Sequence, residues 1–156
     1  MARIAVVRIR GQIGINRKIY DTLKMMHLFR RNSCAIIKDT PSNIGMINLI
    51  KDYVTWGEVN EITFTTLLKS RGKLPGNKKL TEEYINQKLK FSINDFSKEF
   101  FDMKKELKDI PGLKPYFRLT PPLKGFENKG IKVPFSQGGS LGYRKDKINE
   151  LIMRMI

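Results

Sequence analysis

The segment from Lys38 to Val59, KDTPSNIGMINLIKDYVTWGEV, constrains the fold more than any other part of this chain. Thr40 followed by Pro41 predicts a helix start, because a threonine hydroxyl caps free amides and proline has no amide to leave unpaired at the first helical position. Isoleucines then recur at helical spacing, which makes one face apolar: Ile44, Ile47 and Ile50. Val54–Val59 is predicted to be a strand, in which Gly57 indicates a bulge or a close backbone approach.

The residues before this segment complete a β-α-β-α-β unit. Arg3–Arg10 is a nearly continuous apolar run, which is typical of a central strand covered on both faces. Asn16 is a suitable cap for an amphipathic helix over Arg17–Phe29. Ser33–Lys38 is a second short apolar strand. A small sheet with both helices on one face would bury their apolar stripes, and its other face would meet the rest of the chain, water or RNA.

Residues 60–156 have a different character. Apolar spacing and start signals predict helices over residues 60–70, 81–89, 92–107 and 144–155. Residues 115–142 hold four prolines and many glycines, so we expect an extended segment with little internal hydrogen bonding. The domain prediction is therefore a core over residues 1–59 and an extension over 60–156 that packs on it.

The charge balance points to a polyanionic partner. Thirty Lys and Arg against fifteen Asp and Glu leave a net charge of +15. Like charges repel across a folded surface, and nucleic acid is the first candidate to relieve that repulsion, with an anionic membrane second. The net charge is +6 over residues 1–59, +3 over 60–110 and +6 over 111–156, so the two ends are the better candidate surfaces. The alternative, which the size of this excess disfavours, is a merely soluble basic protein.

Little in the sequence favours catalysis or a cofactor. His27 is the single histidine and Cys34 the single cysteine, so a zinc site of the usual kind has too few ligands. Gly11–Gly14 lacks the spacing and the Lys-Ser/Thr ending of a phosphate loop, which excludes that motif. We expect no enzyme, no metal and no cofactor.

The lone cysteine and the N-terminus favour a cytoplasmic protein. A single thiol cannot form a disulfide within the chain, which fits a reducing compartment. The first ten residues are apolar, but three arginines interrupt them, which is unlike a signal sequence.

Basic residues in several separated segments are the candidate RNA contacts, because cations that neutralise phosphates release counterions. Asn43 joins them as a donor at a helix start. Each one by itself is equally well explained as solvated surface charge or, for Asn43, as turn support. The candidates are Arg8, Arg10, Arg17, Lys18, Lys24, Arg30, Arg31, Asn43, Arg71, Lys73, Lys78, Lys79, Arg118, Lys124, Lys129 and Lys132.

Aromatic residues admit two interpretations. Trp56 is expected to pack on the sheet rather than stack on a base. The aromatic residues among the cations of the Pro/Gly-rich segment fit either base stacking or attachment of the segment to the core. They are Tyr116, Phe117, Phe126, Phe135 and Tyr143.

Several motifs together resemble a known family. They are IAVVRIRG from Ile4 to Gly11, TPSN from Thr40 to Asn43, KDYVTWG from Lys51 to Gly57, and the closing Gly139–Met155 segment. The chain resembles the archaeal and eukaryotic form of the large-subunit ribosomal protein family numbered thirty in bacteria and seven in eukaryotes. No long basic arm precedes Arg3, which favours the archaeal form.

The resemblance implies fold and function together. It implies an α+β fold: a three-stranded, mainly antiparallel, ferredoxin-like sheet with two helices on one face, plus a helical and extended C-terminal extension. It implies a structural constituent of the large ribosomal subunit that binds the large rRNA, lies near the 5S rRNA and touches neighbouring ribosomal proteins. The alternatives are a free-standing RNA-binding regulator or RNA chaperone, an RNA-directed enzyme, and a membrane-surface binder.

Overall fold

A computed structural model describes residues 2–89 and 91–156 of the chain. This part is α+β, with a mixed five-stranded sheet and six α-helices. The strands are β1 (Arg3–Arg8), β2 (Ser33–Lys38), β3 (Val54–Glu58), β4 (Phe117–Arg118) and β5 (Gly142–Tyr143). The helices are α1 (Arg17–Met25), α2 (Pro41–Ile50), α3 (Glu61–Arg71), α4 (Glu82–Leu89), α5 (Ile93–Phe101) and α6 (Lys147–Met155).

The sheet has the strand order β4-β2-β1-β3-β5, with β1 at its centre. Val6 of β1 lies opposite Ala35 of β2 on one side and Trp56 of β3 on the other, both in antiparallel pairing. The β-α-β-α-β unit is confirmed and is consistent with a ferredoxin-like arrangement. The prediction of three strands is wrong, because the extension adds β4 antiparallel to β2 and β5 parallel to β3. Strands of two residues are too short to produce a periodic sequence signal.

The alternation of β1 divides the interior into two cores, since successive strand residues point to opposite faces. Ile4 and Val6 pack with apolar residues of α1 and α2. Ala5 and Val7 pack with residues of α3, α5 and α6. The second face of the sheet is therefore covered by the extension, and β1 is buried along its whole length as its continuous apolar run predicts.

Helix starts follow the predicted caps. Asn16 Oδ1 accepts from the Lys18 amide at 3.0 Å, and Thr40 Oγ1 accepts from the Asn43 amide at 3.3 Å. Ser92 likewise caps α5 through the Asp95 amide.

Two helix ends were predicted too late. Helix α1 ends at Met25 rather than Phe29, because His27 takes a φ of 59°. Helix α5 ends at Phe101 rather than residue 107, because Met103 takes a φ of 62°. A left-handed residue ends a helix, but such a residue is usually predicted from a glycine, and neither position holds one.

The prediction of little internal hydrogen bonding in residues 115–142 is wrong. The carbonyl of Val133 accepts from the amides of Ser140 and Leu141 at 2.9 and 3.2 Å. The Leu119 amide donates to Asn32 at 2.8 Å, which fastens the segment to the core. A chain that lies against a core has to pair its backbone groups, whether or not it forms regular elements.

Candidate nucleic-acid interface

Exposed cations surround the junction of α1, β2 and β4. Lys24 lies on the last turn of α1, and Arg30 and Arg31 lie in the connection to β2. All three are exposed. Arg118 of β4 is exposed as well and pairs with Ser33 of β2. The pairing of β4 with β2 thus brings a cation from the extension to the basic end of the first helix.

A small basic cavity of about 90 Å³ lies next to this junction. Its lining combines residues from the loop after α3 with residues before and within β4. They are Arg71, Lys73, Asn77, Lys114, Tyr116 and Arg118. Three of these were predicted as separate RNA contacts, and the fold places them around one cavity. Lys114 was missed, because a single lysine beside a proline carries no pattern of its own.

The other exposed candidates lie apart from this cavity lining. Arg17 and Lys18 are exposed on the first turn of α1, where Arg17 Nε lies 3.9 Å from Asp21 Oδ2. Lys78 and Lys79 are exposed on the loop between α3 and α4. The remaining exposed cations belong to the segment between β4 and β5: Lys124, Lys129 and Lys132.

Arg8 was predicted as an RNA contact, but the structure gives its side chain an internal role. Its exposed fraction is 1%, and its guanidinium donates to four backbone carbonyls at 2.8 to 3.2 Å. The acceptors are Arg10, Gly11, Leu28 and Phe29. Burial lowers the pKa of the Arg8 guanidinium, and nearby tyrosines partly oppose this. We therefore leave Arg8 out of the candidate interface.

Arg10 and Asn43 are also engaged within the protein. The Arg10 guanidinium lies over the Tyr53 ring, 4.8 Å from its centroid, and donates to the Asp52 carbonyl at 3.1 Å. The Asn43 side-chain amide donates to the Lys38 carbonyl at 2.8 Å. Asn43 thus fastens the turn between β2 and α2, which was the alternative interpretation of this residue.

Three aromatic rings form a row beside the exposed cations. The rings of His27 and Phe29 are 5.9 Å apart, and those of Phe29 and Tyr116 meet edge to face at 5.4 Å. The exposed fraction of Phe29 is 37%. Phe29 was not predicted as a contact, since it was assigned to the amphipathic helix α1, which ends four residues before it.

The other aromatic residues of the extension attach it to the core. Phe117 is fully buried, and Phe126 packs against the core beneath the second face of the sheet. Tyr143 stacks at a tilt on Trp56, with ring centroids 6.4 Å apart. Trp56 packs on the core under α1 and α2, as expected.

Metal-binding and membrane-spanning features are not found in residues 2–89 and 91–156. No cluster of three or more His, Cys, Asp or Glu side chains is placed to hold a metal ion there. No helix in that part is long and apolar enough to cross a bilayer. Complete burial raises the pKa of the Cys34 thiol to about 12, which makes it an inert core residue.

Sequence comparisons with known proteins all match this chain to ribosomal proteins. The family profile described as Ribosomal protein L30p/L7e matches residues 4–54. The large ribosomal subunit protein uL30 of Nanoarchaeum equitans is 47% identical over 156 residues, which covers all of both chains. The proteins of that name from Methanopyrus kandleri and Archaeoglobus fulgidus are 49% and 48% identical. Those alignments cover 94% and 97% of this chain, and 99% and 98% of the relatives.

Proposed function

The chain belongs to the ribosomal protein L30p/L7e family, and we propose that it is a structural constituent of the large ribosomal subunit that binds and stabilises rRNA. The observation that carries the proposal is alignment with a large-subunit protein across the entire length of both chains. A family of ribosomal structural proteins also gives no reason to assign an enzymatic activity.

The charge distribution supports RNA as the ligand. The net charge is +15, and most of the predicted contact cations are exposed to solvent. They lie on the α1–β2 connection, on the loop after α3 and on the segment between β4 and β5. Cations at separated places on one folded chain can neutralise phosphates where rRNA segments converge. Phosphate contacts of this kind fix position and do not read sequence.

Residues 1–59 and residues 60–156 have different roles in this proposal. Residues 1–59 are the RNA-binding core, which presents Arg30 and Arg31. Residues 60–156 cover the second face of the sheet and add further cations, including Arg118 and Lys132. In this proposal the protein lies in the cytoplasm, on the ribosome, next to the large rRNA, near the 5S rRNA and against neighbouring ribosomal proteins.

The direct test is to measure where the native protein sediments in a lysate of its own cells. We expect comigration with large subunits in low salt and again after a high-salt wash. A salt-extractable cytosolic RNA-binding protein is the matched control, since it should leave the subunit fraction in high salt. Recovery mainly as free protein, or on other RNA, would contradict the proposal and favour the regulator or chaperone alternative.

A further inference from the structure

We infer that the basic cavity between the loop after α3 and strand β4 is a binding site for one phosphate group of the rRNA backbone. This inference deepens the proposed function and rests on it for the source of the phosphate. The side chains that line the cavity are Arg71, Lys73, Asn77, Lys114, Tyr116 and Arg118. The cavity volume of about 90 Å³ suits a single phosphate rather than a whole nucleotide or a cofactor.

The charges around the cavity call for an anion. Four of its six lining side chains are cationic, and three of them, Arg71, Lys73 and Lys114, are half-buried. Within the described residues, Lys73, Lys114 and Arg118 are not paired with a carboxylate, whereas Arg71 contacts an oxygen of Ile156, the last residue of the chain. Like charges held together in partly dry surroundings repel, and a bound anion converts that repulsion into attraction.

Backbone hydrogen bonds hold the cavity walls in place without a ligand. The Lys114 amide donates to the Lys73 carbonyl at 3.0 Å, and the Leu74 amide donates to Lys78 at 2.9 Å. The pairing of Arg118 with Ser33 fixes the remaining wall to the sheet. A cavity whose walls are already ordered loses little conformational entropy on binding.

Side-chain contacts aim the donors. Lys114 Nζ donates to Asn77 Oδ1 at 2.9 Å, which holds the ammonium group at the cavity with hydrogens to spare. Arg71 Nη2 donates to the backbone oxygen of Ile156 and, at 3.4 Å, to Thr120 Oγ1. Lys73 and Arg118 have no side-chain hydrogen bond to a described residue in the structure. They are the donors most available to a phosphate.

The aromatic wall identifies RNA as the source of the phosphate. Tyr116 lines the cavity, and its ring meets the exposed ring of Phe29 edge to face. An apolar surface next to a phosphate site suits the sugar or base attached to that phosphate. A free inorganic phosphate would gain nothing from it.

The test compares two double variants of the full chain. Lys73→Gln with Arg118→Gln empties the cavity of its free donors. Lys88→Gln with Lys98→Gln is the matched control, since it removes the same charge from exposed positions on α4 and α5. Binding to deproteinised large-subunit rRNA is measured over a range of salt concentrations, and thermal melts check that both variants remain folded. A third variant, Lys73→Arg with Arg118→Lys, keeps the charge.

We expect the cavity variant to bind rRNA about tenfold more weakly, since charge-assisted hydrogen bonds are lost. Its slope of log affinity against log salt should be shallower by about 1 than that of the wild type. The charge-keeping variant should restore the slope. Equal slopes for the cavity variant and the control variant would overturn the inference.

Inorganic phosphate tests the cavity independently of the ribosome. In the wild type, amide NMR shifts on phosphate titration, at constant ionic strength, should concentrate in residues 71–79 and 114–118. Shifts that persist in the cavity variant would overturn the inference. If the wild type bound phosphate here but did not sediment with large subunits, the proposed function would fail while the cavity stood. If the protein sedimented with large subunits but phosphate caused no amide shifts in these residues, the inferred phosphate site would fail while the proposed function stood.

Discussion

Arg144, whose side chain is 2% exposed, lies against the carboxylate of Glu127, and its Nη2 donates to Glu127 Oε2 at 2.7 Å. Arg144 also donates to Thr55 Oγ1 of β3 at 2.8 Å and to the Ser140 carbonyl at 2.9 Å. The Phe135 ring packs on its guanidinium, 4.6 Å from the centroid. This ion pair therefore fastens the basic segment between β4 and β5 to the sheet.

Replacing Glu127 with Gln should lower the free energy of unfolding by roughly 2–4 kcal/mol, because the buried guanidinium loses its charged partner. Chemical denaturation at neutral pH measures the loss. Glu150→Gln is the control, since Glu150 is exposed on α6 and should change stability by less than about 0.5 kcal/mol. A loss no larger than that of the control would contradict the role assigned to the pair.

The same pair predicts a pH dependence. Burial by itself raises the pKa of Glu127, but hydrogen bonds from Arg144 and Ser140 outweigh it and lower the pKa to about 2. A lowered carboxylate pKa stabilises the fold above the unfolded-state value of about 4.3, and that stabilisation is lost as the pH falls through 2. The stability difference between wild type and Glu127→Gln should be full at pH 6 and should shrink between pH 4 and pH 2. A difference that is constant in acid would refute the assignment.

Gly57→Ala should be strongly destabilising. A Cβ at position 57 would lie 2.1 Å from the Lys145 carbonyl oxygen and 3.0 Å from the Ile148 side chain. The start of α6 would have to move away from β3, at a cost of about 3 kcal/mol or more. The close backbone approach expected at this glycine is thus confirmed. Thermal unfolding of the Gly57→Ala variant measures the loss of stability.

Gly45→Ala is the matched control for that substitution. Gly45 lies in α2, and a Cβ at this position would meet no atom within 4 Å apart from its chain neighbours and the backbone of its own helix. Alanine in an exposed helix interior stabilises by about 0.5–1 kcal/mol relative to glycine. The two Gly→Ala variants should therefore move the melting temperature in opposite directions, and a parallel shift would show that the packing argument is wrong.

Arg8→Lys should reduce stability and leave the rRNA salt slope unchanged. A lysine ammonium cannot satisfy four carbonyls in the planar arrangement that the guanidinium serves. We expect a loss of roughly 2–3 kcal/mol in denaturant unfolding. A variant with native stability and weaker rRNA binding would return Arg8 to the interface.

Arg30→Glu with Arg31→Glu should weaken association with rRNA by at least about tenfold at moderate salt, because two phosphate contacts become repulsive. Filter binding to deproteinised rRNA measures the loss of affinity. Arg31 Nε also donates to the Ile9 carbonyl at 3.3 Å, so the melting temperature is recorded alongside. Lys88→Glu with Lys98→Glu makes the same charge change elsewhere. Equal losses in both double variants would indicate a general charge effect rather than a used surface.

Local signals predicted much of the fold. The caps at Asn16 and Thr40 and the continuous apolar run of β1 depend on residues within a few positions, and the structure confirms them. The predicted apolar face of α2 is confirmed only in part, because Ile47 and Ile50 are buried but Ile44 is 41% exposed. The left-handed residues that end two helices early, His27 and Met103, carry no such local signal. The net charge could also be predicted without the fold, because it depends on composition alone.

Contacts between distant residues place some cations around one site and others inside the protein. Arg8 and Arg10 have the same side-chain chemistry, yet Arg8 is buried and two of its four carbonyl acceptors, those of Leu28 and Phe29, are about twenty residues away in sequence. Lys73 and Arg118 are far apart in sequence and line one cavity, because the Lys114 amide donates to the Lys73 carbonyl and β4 pairs with β2. Such placements depend on contacts between distant residues, for which a single sequence has no periodic signal. Composition and local patterns are enough to predict a basic α+β protein, whereas long-range packing sets where its charges meet.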